Sequence, residues 1–469
     1  MNMKENYIQI LKLMNVKVEE KTLRNNANKN TILFPFNSRK EYRARFNNEF
    51  YSILGEFSRI LLNKKLDNTL SIPSTLNQIK SNKDNYFDIE EGSEEYLEKL
   101  IKEYLFNRKG ELKISNPYLF LYLPLSNDKH SNGEKEIVLF LRDVFFRDND
   151  NLKEFFKTKE SDNLIIKLIL NNIPKLYENE TPYKYNCYLD NIKNVFNEDI
   201  NFITNYKEYF IENINKIFAY YYFFYISQLI LKINRGFDDN KEIDNLYYLL
   251  DWESASKNRK TINKGYKFLK DKTSSLYAQL SLIDQINTLL GTSGLLEKDL
   301  LNQFNQLSNE NQNEVIKYLK KWISLYKLYS KFDDEKNSQE EYLEELPNNF
   351  KDLVNELYKS LNNKKHGIDA AQKSRYAQNL EDMAKKFFLK RRGSYGYILN
   401  LNRDILLIMT ALCVKDKKIR LNQLFEEYEK RGLFFDRYSK EEIIKLLTKL
   451  NLIDKKSDSG DAQYVKPIL

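Results

Sequence analysis

The sequence predicts a mainly α-helical, multi-domain chain. Apolar residues recur at helical spacing over most of its length, and only one stretch breaks that pattern. The last 66 or so residues add a compact order of helices followed by a hairpin. With 469 residues and 42% hydrophobic content, the chain has material for two or three cores.

Residues 1–115 read as an N-terminal helical domain. Leu33-Phe34-Pro35-Phe36 forms an apolar punctuation mark before an amphipathic stretch from Tyr42 to Asn63. In it Phe46, Phe50, Ile53, Leu54, Phe57, Ile60 and Leu61 share one helical face. Arg39, Lys40, Arg43 and Arg45 crowd its first turns, where the helix dipole disfavours cations; they form either a solvated face or a contact for phosphate or an acidic partner.

Residues 116–150 are the break. Tyr118–Leu123 and Glu136–Leu141 are aromatic and branched runs separated by a polar loop with Gly133. They suit a small β-hairpin insertion or two buried helical pieces, and both readings stand at this stage. From 151 to 392 a central helical domain follows, with Pro174, Pro182 and Pro347 as breakers. Its apolar run Ile217–Leu231 lies between Lys216 and Lys232 but is shorter than the roughly 20 residues a bilayer requires. The run also holds Tyr220, Tyr221, Tyr222, Tyr225, Ser227 and Gln228. A buried central helix, with no membrane partner, is the expectation.

Residues 393–469 complete the chain. Ile405, Leu406, Met409, Leu412 and Cys413 mark one helix, and Leu421, Leu424, Phe425 and Tyr428 mark a second that Gly432 ends. Ser439 with Glu442 has capping-box spacing for a third, which carries Ile443, Leu446, Leu447 and Leu450. Two short alternating segments then flank Ser457-Asp458-Ser459-Gly460. This is the order of a winged-helix-like domain, a fold that docks on DNA or on protein. Lys440, Lys445 and Lys449 on the third helix and Lys455, Lys456 and Lys466 on the hairpin are candidate phosphate contacts. Lysines match phosphate as point charges, so backbone contact is expected rather than base reading.

A second basic cluster precedes this domain. Lys385, Lys386, Lys390, Arg391 and Arg392 interleave with Phe387, Phe388, Tyr395 and Tyr397 and end in Gly393-Ser394-Tyr395-Gly396. Cations could clamp phosphate while the glycines let backbone approach, or the segment is a basic linker whose phenylalanines plug the core.

Global charge decides little. The balance of 75 basic against 67 acidic residues leaves +8, mild for this size. Cys187 and Cys413 form neither a disulfide framework nor a paired-cysteine metal motif, so a cytoplasmic protein is expected. With only His130 and His366, histidine-based zinc or triad chemistry is disfavoured, and no phosphate-loop motif is present. No cofactor or enzymatic role is expected. The competing enzymatic reading is a metal-dependent nuclease built on Glu111-Leu112-Lys113 with Asp84 and Asp88. Asp251-Trp252-Glu253, followed by Ser254, Ser256, Lys257, Arg259 and Lys260, is an acidic-to-basic boundary. It reads as an interaction hot spot on Trp252 or as a core tryptophan at a helix joint.

Three strings carry a resemblance. Asp251–Arg259, Arg431-Gly432-Leu433-Phe434-Phe435-Asp436-Arg437 and Lys456–Val465, with Leu33–Phe36 and the Phe50–Arg59 helix, resemble the DptG type of DNA phosphorothioation-dependent restriction protein. That resemblance implies an accessory subunit in bacterial defence, joining partner restriction subunits, including ATPase-like proteins, to restrict double-stranded DNA that lacks the sulfur-modified backbone. It supplies no catalytic residues. The expectation is therefore a non-enzymatic subunit contacting DNA through its C-terminal domain and partners through its helical body. A pure scaffold is the alternative.

Overall fold

The structure, a computed structural model, describes all residues except 1, 48, 68–69, 82–91, 109, 148–149, 240, 334–335, 337 and 456–462. It is mainly α-helical, with short strands in small sheets. No helix among the described residues is long and apolar enough to cross a membrane. The chain divides into two compact units, each made of separated segments. One comprises Met1–Lys40, Phe224–Leu249 and Ser254–Leu399; the other comprises Glu41–Phe223, Leu250–Glu253 and Asn400–Leu469. The division falls within the Lys207–Arg235 helix, where every residue from Ile217 to Leu231 is buried, as expected of a central helix.

In the first unit, helices Met3–Leu13, Leu276–Leu290, Asn309–Tyr329, Phe350–Asn362 and Ala370–Phe387 bury their apolar faces together. Trp322 is fully buried because its indole N–H finds an acceptor, Gln285 Oε1 at 2.7 Å. Asp284 is buried too. It accepts from the backbone N–H groups of Lys29 (2.8 Å) and Thr31 (2.7 Å), pinning the N-terminal loop to the Leu276–Leu290 helix. The Leu33–Phe36 mark is held alongside, since Asn28 Oδ1 accepts from Leu33 N at 2.6 Å. Gly291 ends that helix in the left-handed region at φ 66, so Gly291-Thr292-Ser293-Gly294 is a turn.

In the second unit, the Tyr51–Leu61 helix packs on Ser131–Phe145. Phe57, Phe146, Phe196 and Phe218 form a ring cluster with centroids 5.0 to 5.9 Å apart along its edges. At Gly55 the Leu123 backbone comes so near that a Cβ would lie 2.4 Å from its carbonyl oxygen.

Three expectations are corrected. Of the two readings of 116–150, the described residues show no hairpin and two buried helical pieces instead: Pro117–Tyr122 is a 3₁₀ helix and Ser131–Phe145 an α-helix. Asn116 accepts from Tyr118 N at 2.9 Å and Pro117 presets the first turn. Ile137, Val138, Phe140, Leu141, Val144 and Phe145 are buried on adjoining helical faces, which hides the helical period in a near-continuous apolar run. The cations before Phe50 do not crowd a helix start either, because the helix begins at Tyr51. Lys40–Tyr42 is a short 3₁₀ turn, Arg43 is buried, and Arg45 lies 3.6 Å from Asp128. Finally, Ser439 is not the cap of its helix; Asp436 is, accepting from Ser439 N at 3.1 Å.

Candidate nucleic-acid interface

The C-terminal domain belongs to the second unit. Asn402 caps the Arg403–Val414 helix by accepting from Ile405 N at 2.8 Å, and Ile405, Leu406, Met409 and Leu412 are buried. Ile419–Arg420 is a short strand that leads into the Leu421–Lys430 helix. Gly432 then reverses the chain at φ 78, with Leu433 N returning to Tyr428 O at 2.9 Å. The Arg437–Lys449 helix follows, then strands Ile453–Lys455 and Gln463–Val465. Gln463–Val465 pairs antiparallel with both other strands and lies between them. Three helices with the last strand central in a three-stranded sheet is the winged-helix arrangement.

A buried ion pair docks this domain on its own unit. Arg431 donates Nε to Asp199 Oδ2 at 2.8 Å and Nη2 to Asp199 Oδ1 at 2.6 Å, and Nη1 reaches Glu427 Oε2 at 2.7 Å. The Tyr221 hydroxyl also donates to Asp199, and burial followed by the Asp199 charge pushes that hydroxyl well above its ordinary value. Cys413 sits in the same region, its thiol pushed up to about 12 by burial.

The third helix presents a straight stripe to solvent. Arg437, Glu441, Lys445 and Lys449 follow at four-residue intervals, all exposed. Arg437 pairs with Glu441 at 3.0 Å and Lys445 with Glu442 at 2.6 Å, while Lys449 has no acidic partner among the described residues. Such solvent-exposed pairs are weak, so phosphate can replace the carboxylates. Lys440 stands apart from the stripe. It is half-buried, 3.4 Å from Glu429 and 4.9 Å from the Phe425 ring centre, holding the second and third helices together. On the hairpin, Lys455 lies opposite Gln463, and Lys456 and the turn Ser457–Gly460 lie outside the described residues. Lys418 and Lys466 both bond Asp454 and hold its carboxyl below the usual range.

The other basic cluster belongs to the first unit. Leu389–Arg391 and Tyr397–Leu401 pair as an antiparallel ribbon, with Lys390 opposite Ile398 and Arg391 opposite Tyr397. Gly393 (φ 54) and Gly396 (φ 71) shape its tip and have open space around them. Lys386, Lys390 and Arg391 are exposed, Arg392 is half-exposed, and Tyr395 and Tyr397 are each 40% exposed. Lys385 pairs with Glu381 at 2.7 Å and lies over the Tyr397 ring at 5.1 Å. Phe388 is buried, so the segment is both a basic surface and a core plug.

No family model matches this chain, and no curated protein matches it.

The remaining candidates have local structural partners. Lys113 donates to Glu103 O at 2.6 Å and Leu112 bridges Phe106, while Asp84 and Asp88 lie outside the described residues. His130 Nδ1 is 2.7 Å from Arg43 O, and His366 Nδ1 is 3.2 Å from Ser330 O. Trp252, by contrast, is 41% exposed rather than a core residue. Its neighbour Glu253 is buried and accepts from Leu250 N and Ser439 Oγ, both at 2.8 Å, fixing this loop against the start of the third helix. Arg437, the first member of the exposed stripe, lies outside the lysine clusters that mark the candidate phosphate contacts. Its four-residue spacing to Glu441, Lys445 and Lys449 was the available signal.

Proposed function

We propose that this chain is a non-enzymatic, DNA-contacting and scaffolding subunit of a bacterial restriction assembly. The observation that carries the reading is the solvent-facing stripe of Arg437, Lys445 and Lys449 on the third helix of a winged-helix domain, the element that such folds lay in the DNA groove. Its cations are mostly lysines, which supports contact with the phosphate backbone and little base reading. The ribbon adds Lys390 and Arg391 beside two exposed tyrosines, a composition suited to phosphate and sugar contact. The resemblance of Asp251–Arg259 and Arg431–Arg437 to DptG-type proteins supports the restriction setting. In that setting partner subunits, including ATPase-like proteins, act on double-stranded DNA that lacks phosphorothioate linkages.

A second reading, a scaffold whose winged helix docks protein, is favoured by exposed Trp252 beside that helix. One experiment separates the two. Binding of the purified chain to matched duplexes, with and without phosphorothioate linkages, is measured by fluorescence anisotropy across a salt series. The expected result is salt-sensitive binding whose log–log slope falls by roughly 0.9 for each phosphate contact removed by Lys445→Glu and Lys449→Glu. Absence of binding at low salt, or binding indifferent to both reversals, overturns DNA contact by this face and leaves the scaffold.

A further inference from the structure

The second unit also holds a cavity of about 740 Å³ that DNA contact does not use. Its wall is largely apolar, with Phe106, Leu112, Tyr122, Leu123 and Ile211, and three carboxylates, Glu49, Glu111 and Glu212, share it. Apolar walls with a few convergent polar groups, at this size, describe a small-molecule site. Among the described residues the charge is one-sided: neither Lys nor Arg lines the cavity, in a chain whose net charge is +8.

The three carboxylates have no cationic partner among the described residues. Glu111 accepts from Asn107 Nδ2 at 2.8 Å, Glu49 accepts from the Asn215 side-chain amide, and Glu212 is exposed. Glu49 and Glu212 converge on Tyr51, whose hydroxyl is raised above its ordinary value by burial and then by these two charges. Asn215 holds Glu49 from the interior. It is 2% exposed, its Nδ2 is committed to Glu49, and its Oδ1 has no partner. Glu49 itself is held at φ 53, a conformation uncommon for glutamate that is retained where surrounding structure enforces it.

Carboxylates without cationic partners among the described residues, set in apolar walls, call for hydrogen-bond donors of positive charge on an aliphatic stem. A hard dication is the poorer match, since it needs closely converging oxygens, and no group of three or more metal-ligating side chains occurs among the described residues. We propose that this cavity binds a linear polyamine, its ammonium groups meeting Glu49, Glu111 and Glu212 and its methylenes covering the apolar wall.

Calorimetric titration of the full chain with spermidine, without DNA and at low ionic strength, tests this. One saturable site is expected, weakened roughly three- to tenfold by Glu111→Gln or Glu212→Gln. Both side chains are exposed, so unchanged thermal midpoints without ligand verify the fold. Lys445→Glu is expected to bind spermidine as the parent does, which separates this site from the DNA-contacting face. Non-saturable heats, displacement by magnesium at equal charge concentration, or variants that bind as the parent does would each overturn the proposal.

Discussion

Removing either partner of the Asp199–Arg431 pair is expected to be among the most damaging single changes in the second unit. Asp199 is fully buried and Arg431 is 2% exposed, and they share two hydrogen bonds of 2.6 and 2.8 Å. Asp199→Ala leaves the guanidinium in the interior with only Glu427 and backbone oxygens, while Arg431→Ala leaves Asp199 with the Tyr221 hydroxyl. Either loss costs about 3–5 kcal/mol, because the stranded charge keeps its desolvation penalty. At about 2–4 °C per kcal/mol for a body of this size, the thermal midpoint falls by roughly 6–20 °C. An apolar pair, Asp199→Leu with Arg431→Met, recovers much of that loss by stranding no charge. Calorimetry and urea denaturation of the parent, the two alanine variants and the double variant Asp199→Ala with Arg431→Ala complete a double-mutant cycle, with the apolar pair measured beside them. Single losses below about 1 kcal/mol, or additive effects, refute the argument. The same series tests whether Arg431 meets DNA. A phosphate contact would alter the salt dependence of binding while sparing stability, and the opposite is expected.

Two further outcomes follow from the geometry. Glu297 is buried with an unpartnered oxygen, and burial raises its carboxyl to about 7 from 4.5. The folded state therefore keeps a proton that the unfolded chain has released. Stability contributed by this group is full below about pH 4.5 and is lost as pH rises to 7, so Glu297→Gln should stabilise the first unit at pH 8 by up to roughly 3 kcal/mol and do little at pH 4. Equal melting shifts at both pH values would contradict this. Gly55→Ala would place a Cβ 2.4 Å from Leu123 O and 2.6 Å from Leu123 Cβ, and the overpacking is expected to cost about 1–3 kcal/mol in urea denaturation. A change within about 0.5 kcal/mol would show that the Leu123 loop yields freely.

Helical spacing made most of the fold legible. The faces marked by Ile53, Leu54 and Phe57, by Ile405, Leu406 and Met409, and by Leu424, Phe425 and Tyr428 are all buried as their periodicity requires. Periodicity failed at Ser131–Phe145 because a helix buried on adjoining faces loses its polar stripe, and what remains looks like strand. It also failed at Ser439, whose capping-box spacing is satisfied by chance. Asp436, three residues earlier, takes the cap because Ser439 Oγ is committed to Glu253, 186 positions away. The assembly of each unit from separated segments has no local signal. Contacts such as Asp284 with Lys29 and Thr31 are set only when the chain closes on itself. Of the predicted basic residues, Lys445 and Lys449 lie on one exposed stripe, whereas Lys440 is turned inward by Glu429 and Phe425, a difference that charge counting could not register.

The strings that look most distinctive in this sequence are its structural joints. In Arg431–Arg437, Arg431 is the buried ion-pair partner, Gly432 supplies the reversal, Leu433, Phe434 and Phe435 are buried, and Asp436 caps the next helix. Only Arg437 faces solvent. In Asp251-Trp252-Glu253, Glu253 is bonded to Ser439 and Asp251 to Asn400, which leaves Trp252 as the outward residue. In this chain the strings supply an interior cation, a left-handed reversal and a cap that seat the winged helix on its body, whatever the domain touches. Such strings therefore report the docking. What distinguishes a DNA-contacting domain from a protein-docking one must lie in the residues the joints leave exposed, namely Arg437, Lys445 and Lys449 on one side and Trp252 on the other. Charge reversal on the first set and truncation of the second should consequently separate in their effects. If Trp252→Ala weakened DNA binding as much as Lys445→Glu, with stability intact, the two sets would form one surface, and the tryptophan would have to be counted among the DNA contacts.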